Sequence, residues 1–296
     1  MISIAMATYN GEKYIKEQID SILNQTIQDF EIVICDDCST DGTVRILQEY
    51  ARNDKRFHIY QNEVNLGFKK NFEKAITLCK GEYIALSDQD DIWMPNHLEL
   101  LKNAIKDKVL SCGNADLIDK DGNEMGITFW EQEAFDSIPT SNLGKAMSIL
   151  LFRSPYQGAA MMVRHQLLEK ALPIPQVYTY HDSWFALFAC FCGGIACVKE
   201  PILKYRRIEN SVTGLRSRKR SRYYQYRNHI IWRDKLVAIR TLSDRLTDIG
   251  EKEKNFLKKM ENMCVRNKTT RGRWLNFIYT TIHYKTIYNS TLTNWK

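Results

Sequence analysis

Three aspartates stand within four positions, Asp88, Asp90 and Asp91, directly after the apolar run Tyr83-Ile84-Ala85-Leu86 and Ser87. The run reads as a strand in a covered sheet, and an open α/β sheet places its ligands just beyond strand C-termini. Carboxylates this close repel one another, and a hard divalent cation with oxygen ligands offsets that repulsion. The cluster therefore points to a site for a metal ion and a diphosphate. The plainer alternative is a solvated turn in which Asp88 or Asp91 caps a helix beginning near Pro95.

Other segments carry polar groups at strand ends. Thr8-Tyr9-Asn10-Gly11 closes the first candidate strand, and Asp36-Asp37-Cys38-Ser39-Thr40-Asp41-Gly42 follows the second. Each has a structural explanation of its own, an Asn-Gly turn in one and a Ser39 or Thr40 cap in the other; what favours a site is that they share a sheet edge with the Asp88 loop. A third exit, Asn62 to Gly67, leads to Lys69-Lys70 in the first turn of a helix, where cations oppose the helix dipole and suggest an anionic partner. His181-Asp182 opens the apolar stretch 183–192, where Asp182 reads as a helix cap or as a functional carboxylate.

The elements that must position these groups alternate along the chain. Strands are expected at 2–7, 31–35, 57–61 and 83–87, and helices near 11–25, 41–53, 67–79 and 95–106. This βαβα succession implies an α/β fold with mostly parallel strands, right-handed crossovers and helices on both faces. Beyond residue 107 the pattern is mixed: a strand at 109–113, a turn at 119–122, an irregular stretch through Pro139 suited to an acceptor pocket, and a small-residue strand at 157–163.

The net charge of +7 divides unevenly, with 20 Lys/Arg against 6 Asp/Glu in residues 216–296 (+14) and −7 in residues 1–215. Two parts are expected, a catalytic domain at 1–215 and a basic helical C-terminal extension at 216–296, the latter suited to an anionic membrane surface or else a solvated appendage. The longest wholly apolar run, Trp184 to Cys192, is too short to span a bilayer, and neither a signal peptide nor a membrane span is expected. The eight cysteines sit mostly in apolar runs, as buried reduced thiols do, which suits the cytoplasm. Cys35-Asp36-Asp37-Cys38 has redox spacing, but its acidic pair disfavours a thiolate, and no second Cys or His pair completes a zinc site.

Taken together the loops resemble the family 2 glycosyltransferases: Ala7-Thr8-Tyr9-Asn10, Ile34 to Thr43, Asn65-Leu66-Gly67, and Asp88-Gln89-Asp90 as an Asp-x-Asp motif, all in family order over about residues 1–215. Ser87 to Trp93, His181-Asp182-Ser183-Trp184 and Tyr205-Arg206 look like the bacterial rhamnosyltransferase-like branch of cell-surface polysaccharide synthesis. The resemblance implies a GT-A fold, a nucleotide-diphosphate sugar donor and Mg or Mn. It implies further that Thr8, Tyr9, Asn10 and Glu12 line the nucleotide, that Asp36 and Asp37 contact base and ribose, and that Asp88 and Asp90 hold ribose and metal. Asn65, Gly67, Lys69 and Gln89 complete the donor contacts, and Asp182 takes the place of the catalytic base. Where relatives often have a histidine after Tyr205-Arg206, this chain reads Arg207-Ile208-Glu209-Asn210, which leaves open whether a metal ligand comes from there or an arginine neutralises the diphosphate.

The expected activity is inverting, metal-dependent transfer to a glycan or lipid-linked acceptor at the cytoplasmic face of the membrane, with no nucleic-acid partner. The donor is dTDP-L-rhamnose by branch resemblance, with UDP-hexoses open. Two other activities compete. A sugar-phosphate nucleotidyltransferase would need a Gly-rich loop after the first strand. A nucleic-acid or membrane-binding module would rely on the basic tail alone.

Overall fold

The computed structural model describes residues 1–133, 138–151, 154–176, 178, 180–208 and 232–266. In chain order its first half runs β1 (Ile2–Thr8), α1 (Ile15–Leu23), β2 (Phe30–Asp36), α2 (Thr43–Asn53), β3 (Phe57–Gln61), α3 (Phe68–Leu78), β4 (Tyr83–Ser87), the short β5 (Ile92–Trp93) and α4 (His97–Ile105). There follow β6 (Leu110–Ile118), β7 (Glu124–Thr128), α5 (Phe129–Gln132), α6 (Asn142–Leu151), a 3-10 turn at Gly158–Ala160, β8 (Met161–Arg164), α7 (His165–Ala171), α8 (His181–Cys192) and β9 (Ile195–Arg206). Two helices of the C-terminal part are described, α9 (Trp232–Arg245) and α10 (Glu251–Arg266).

One sheet runs in the order β3-β2-β1-β4-β8-β6-β9-β5, with β7 paired to β6. The pairs β3·β2, β2·β1 and β1·β4 are parallel, as the βαβα alternation requires. Their apolar runs are buried on both faces, since helices cover both sides of such a sheet. Parallel pairing puts every C-terminal end of β1, β2, β3 and β4 on one edge, so the loops at Tyr9, Asp37, Asn62 and Asp88 meet there. β8 then runs antiparallel to β4 and β6, and β9 lies parallel to β6.

Several elements differ from expectation for identifiable reasons. The helix expected from residue 11 starts at Ile15, because Tyr14 and Ile15 first donate to the carbonyl of Gly11 in a turn. The strand expected at 157–163 begins only at Met161, its first part being the 3-10 turn that brings the Gly158 amide to Asp182. The strand expected to end at 113 continues to Ile118 against β9. That partner was not foreseen. Pro201 lies inside it, cannot donate to a ladder and argues against a strand; the pairing accommodates it with register shifts on either side of Asn114.

The C-terminal helices were foreseen by periodicity, but not their burial. Ala238, Ile239 and Leu242 of α9 are fully buried, Leu257, Met260, Met263 and Cys264 of α10 nearly so, and all belong to the same apolar cluster as the sheet. Arg245 donates to the carbonyls of Ala171 and Pro173, Lys235 to that of Ile149, and Phe191 of α8 meets Phe256 with ring centroids 6.1 Å apart. The apolar faces of α9 and α10 therefore pack against protein. The stretch from Arg216 to Asn228 and everything after Arg266 lie outside the described residues. Among those described, no helix is long and apolar enough to cross a membrane.

This packing predicts that Leu242→Ala lowers the unfolding free energy by about 2–5 kcal/mol, the usual cost of emptying a core leucine site. Urea unfolding should show one shifted transition; an unmoved main transition would mean that α9 is a separate appendage.

Candidate active site

Four strand-end loops are stitched into one surface by backbone amides. The Tyr9 amide donates to Gln89 Oε1 at 2.8 Å and Gln89 Nε2 donates back to the Tyr9 carbonyl at 3.0 Å, joining the β1 and β4 loops. The two loops approach closely at Gly11, where a Cβ would lie 2.4 Å from Gln89 Oε1 and would displace the Gln89 amide. The amides of Asn10, Gly11 and Glu12 donate to Ser39 Oγ, Thr43 Oγ1 and Asp41 Oδ2, and the Thr40 and Gly42 amides donate back to Asn10 Oδ1 and Glu12 Oε2.

Two of the expected nucleotide contacts are the hubs of this stitching. Asp36 accepts from Thr8 Oγ1 and from both the amide and hydroxyl of Ser39. Asp37 accepts from Asn62 Nδ2 and the amides of Leu66 and Gly67, and Asn65 Nδ2 donates to its carbonyl. Thr8, Asp36 and Asp37 are buried, while Tyr9, Asn10 and Glu12 stand exposed at the rim. Lys69 is engaged elsewhere: its ammonium donates to the carbonyls of Pro175, Gln176 and Tyr178, anchoring the segment that leads into α8, and burial there lowers its pKa.

The carboxylates of the second group are treated in the opposite way. Burial pushes Asp88 up to about 7, helped by the charges of Asp90 and Asp182, so both of these side chains lie within electrostatic reach of Asp88. Burial also raises Asp90, against the pull of Arg206, and raises Asp91 far above the carboxylate range. Asp91 Oδ1 accepts the Arg206 amide, while Oδ2 is buried with no hydrogen-bond partner. Asp182, in the first turn of α8, accepts from the amides of Gly158 and Ser183 and is nevertheless pushed up to about 6. A helix N-terminus favours an anion by only about 0.3–1 kcal/mol, so desolvation wins.

Arg206 is the brace of the acidic loop. Its guanidinium donates to the Asp90 carbonyl and to Glu17, and it lies 4.6 Å from the Tyr14 ring centroid. It thus holds the Asp90 backbone in place. The Arg207 Nε is buried without a hydrogen-bond partner. The brace was not foreseen as such, although Tyr205-Arg206 had been noted; a buried arginine needs carbonyls and carboxylates around it, and an acidic strand exit offers them.

Asp88 and Asp90 offer hard oxygen donors whose mutual repulsion a divalent cation would relieve, so the donor chemistry fits Mg or Mn. No group of three or more His, Cys, Asp or Glu side chains positioned for a metal occurs among the described residues. An Mg-type site held by one or two carboxylates and completed by water and substrate phosphate matches that inventory. Burial pushes the Cys35 thiol up to about 11.

The family model described as glycosyl transferase family 2 matches residues 3–166. A glycosyltransferase of Methanocaldococcus jannaschii is 31% identical over 245 residues, covering 79% of this chain and 80% of that protein. The chondroitin synthase of Escherichia coli is 42% identical over 127 residues, but these are only 18% of its length. Among solved structures, S. aureus TarS 1–349 in complex with UDP-GlcNAc superposes with a TM-score of 0.59 at 20% identity, over 90% of this chain and 71% of that one. That likeness confirms the fold, a mixed α/β sheet with flanking helices of the GT-A type.

The raised carboxylates set a sign for stability. A carboxyl group whose folded pKa lies above its unfolded value binds more protons in the native state, so its contribution to stability falls as pH rises. For Asp88 the window runs from 3.8 to about 7. Asp88→Asn should therefore be more stable than wild type at pH 8, with the difference closing as pH falls towards 4; paired urea titrations measure it, and a pH-independent difference would contradict the burial of this charge.

Proposed function

Because the chain belongs to glycosyl transferase family 2, we propose that it transfers a sugar with inversion from a nucleotide-diphosphate donor to a hydroxyl of a glycan or lipid-linked acceptor in cell-surface polysaccharide synthesis. The observation that supports this is that the charge of Asp182 acts on Asp88, while burial pushes the Asp182 carboxyl itself up to about 6. A general base works best with a pKa near the operating pH. In the transfer, Asp182 takes the acceptor hydroxyl proton while that oxygen bonds to the anomeric carbon and the bond to the diphosphate oxygen breaks. A single displacement of this kind inverts the configuration.

Asp88 and Asp90 would hold Mg or Mn, which when bound supplies neutralisation of the leaving diphosphate. Tyr9, Asn10 and Glu12, exposed on the rigid first loop, would face the nucleotide, with Asn65 and Gly67 shaping its wall. Asp36, Asp37, Thr8 and Gln89 would act on the nucleotide chiefly by fixing that wall, and Lys69 by fixing the approach to α8. For the donor, the Ser87 to Trp93 and His181 to Trp184 segments favour dTDP-L-rhamnose, and UDP-sugars are the comparison. The +14 charge of residues 216–296 would draw the enzyme to the anionic inner face of the membrane, through charged faces, since the apolar faces of α9 and α10 pack on the protein.

A sugar-phosphate nucleotidyltransferase would need free amides after β1 to cradle a triphosphate. Here the four successive amides of Tyr9 to Glu12 are all consumed by Gln89, Ser39, Thr43 and Asp41.

Asp182→Asn should keep donor binding and lose transfer by about 10²–10⁴-fold, the usual worth of a general base. In the wild type, kcat/KM should climb with pH and level off above about 6, where Asp182 is ionised. Near-normal turnover by the variant, measured as nucleotide-diphosphate release with acceptor, would overturn the assignment.

A further inference from the structure

The wall from which Asp182 projects carries buried polar atoms that the proposed transfer has not used. His181, 7% exposed, has both ring nitrogens without a hydrogen-bond partner, and Gln157, 6% exposed, has neither end of its amide paired. Buried polar groups are paired in the great majority of cases, and each exception calls for a cause. Gln157 immediately precedes Gly158, the residue that packs against His181. The Gly158 amide donates to Asp182 Oδ2 at 3.2 Å, and a Cβ on that glycine would lie 3.0 Å from His181 Nε2 and 3.7 Å from the Asp182 Cβ. The glycine thus lets the backbone beside Gln157 come close to both His181 and Asp182.

His181 is held as a plate, stacked on Phe72 at 4.2 Å between centroids and edge-on to Phe185. An imidazole used only for packing could be a phenylalanine at this position without orphaned nitrogens. Burial pushes it down to about 3, so the ring is neutral, with one nitrogen donating and the other accepting. The Gln157 amide likewise offers one donating and one accepting end. A paired donor and acceptor on each residue matches groups that do both at once, which is the property of a hydroxyl. A phosphate, which only accepts, would leave the Gln157 oxygen unserved and meet the Asp182 charge.

Building on the transferase proposal above, we infer that His181 and Gln157 form a subsite that hydrogen-bonds the ring hydroxyls of a sugar beside Asp182, and so select which sugar is bound there. Water fills such a site when the sugar is absent and is displaced by hydroxyls that reproduce its bonds. The ring belongs to the donor or to the acceptor, and the two sources separate experimentally.

The test is calorimetric titration of the full chain with UDP and dTDP alone, and with UDP-GlcNAc and dTDP-L-rhamnose, for wild type, His181→Phe and Gln157→Met. His181→Phe keeps the aromatic plate and removes both nitrogens. Should it fail to fold, Gln157→Met carries the test by itself. If the donor ring is read here, affinity for the preferred nucleotide sugar drops about tenfold while affinity for the bare nucleotide stays unchanged. If the acceptor ring is read here, both affinities stay and the KM for acceptor rises by a similar factor. Folded variants that alter neither quantity would show the atoms to be served by water alone and would overturn the subsite. A wild-type chain that binds neither nucleotides nor nucleotide sugars would instead overturn the transferase reading on which it rests.

Discussion

The carboxylates of Asp36 and Asp37 lie at the C-terminal end of β2 with 0% and 2% exposure, and a carboxylate taken out of water is tolerable only if hydrogen bonds replace its hydration. The chain supplies six such bonds to these two side chains, from Thr8, Ser39, Asn62, Leu66 and Gly67. The donors sit at the end of β1 and in the loops after β2 and β3, so satisfying the two charges fixes these strand ends relative to one another. Loops at the end of a parallel sheet have no ladder of their own to hold them. Here the demand of two buried anions does the work that strand pairing does elsewhere.

That rigidity permits the reverse treatment of Asp88, Asp90, Asp91 and Asp182. Desolvation raises the pKa of all four, and neighbouring carboxylates raise Asp88 and Asp91 further, so the fold must support these groups from outside. Arg206 ties the Asp90 loop to Glu17 of α1 from one side. On the other, α8 holds Asp182 on a helix buried from Trp184 to Phe191, with the Trp184 indole donating to the Ala171 carbonyl and Arg245 of α9 donating to the same group. The C-terminal helices are thus part of the frame that keeps a strained acidic cluster from relaxing, whatever else their charge attracts.

How much of this was legible in the sequence follows from which forces are local. The βαβα half was readable because hydrophobic period and strand-end loops are local signals, and parallel pairing then places the loop chemistry on one edge without further information. The second half was not, because its strands are held by partners distant in sequence. β9 contains Pro201, and β8 follows a glycine turn whose purpose is visible only against Asp182. The roles of individual residues were harder still. Asp36 and Asp90 look alike as letters in similar loops, yet one is saturated by neighbours and the other is not, and that difference depends on where Ser39 and Arg206 end up. Gln157 carried no signal at all, since an amide is informative only once its lack of a partner is known.

The same charge crowding links the two halves of the proposed reaction. Part of what raises Asp88 is the charge of Asp182. When Asp182 takes the acceptor proton it loses that charge, and the carboxylates opposite become easier to ionise. Linkage is reciprocal, so if Asp88 and Asp90 held a divalent cation, the loss of the Asp182 charge would favour the ionised Asp88 that such a cation needs. The leaving diphosphate acquires its negative charge at that same moment. In the proposed transfer, proton uptake by Asp182 would therefore ease ionisation of Asp88 as the leaving group gains its charge, a coupling that well-separated, fully hydrated carboxylates would not possess.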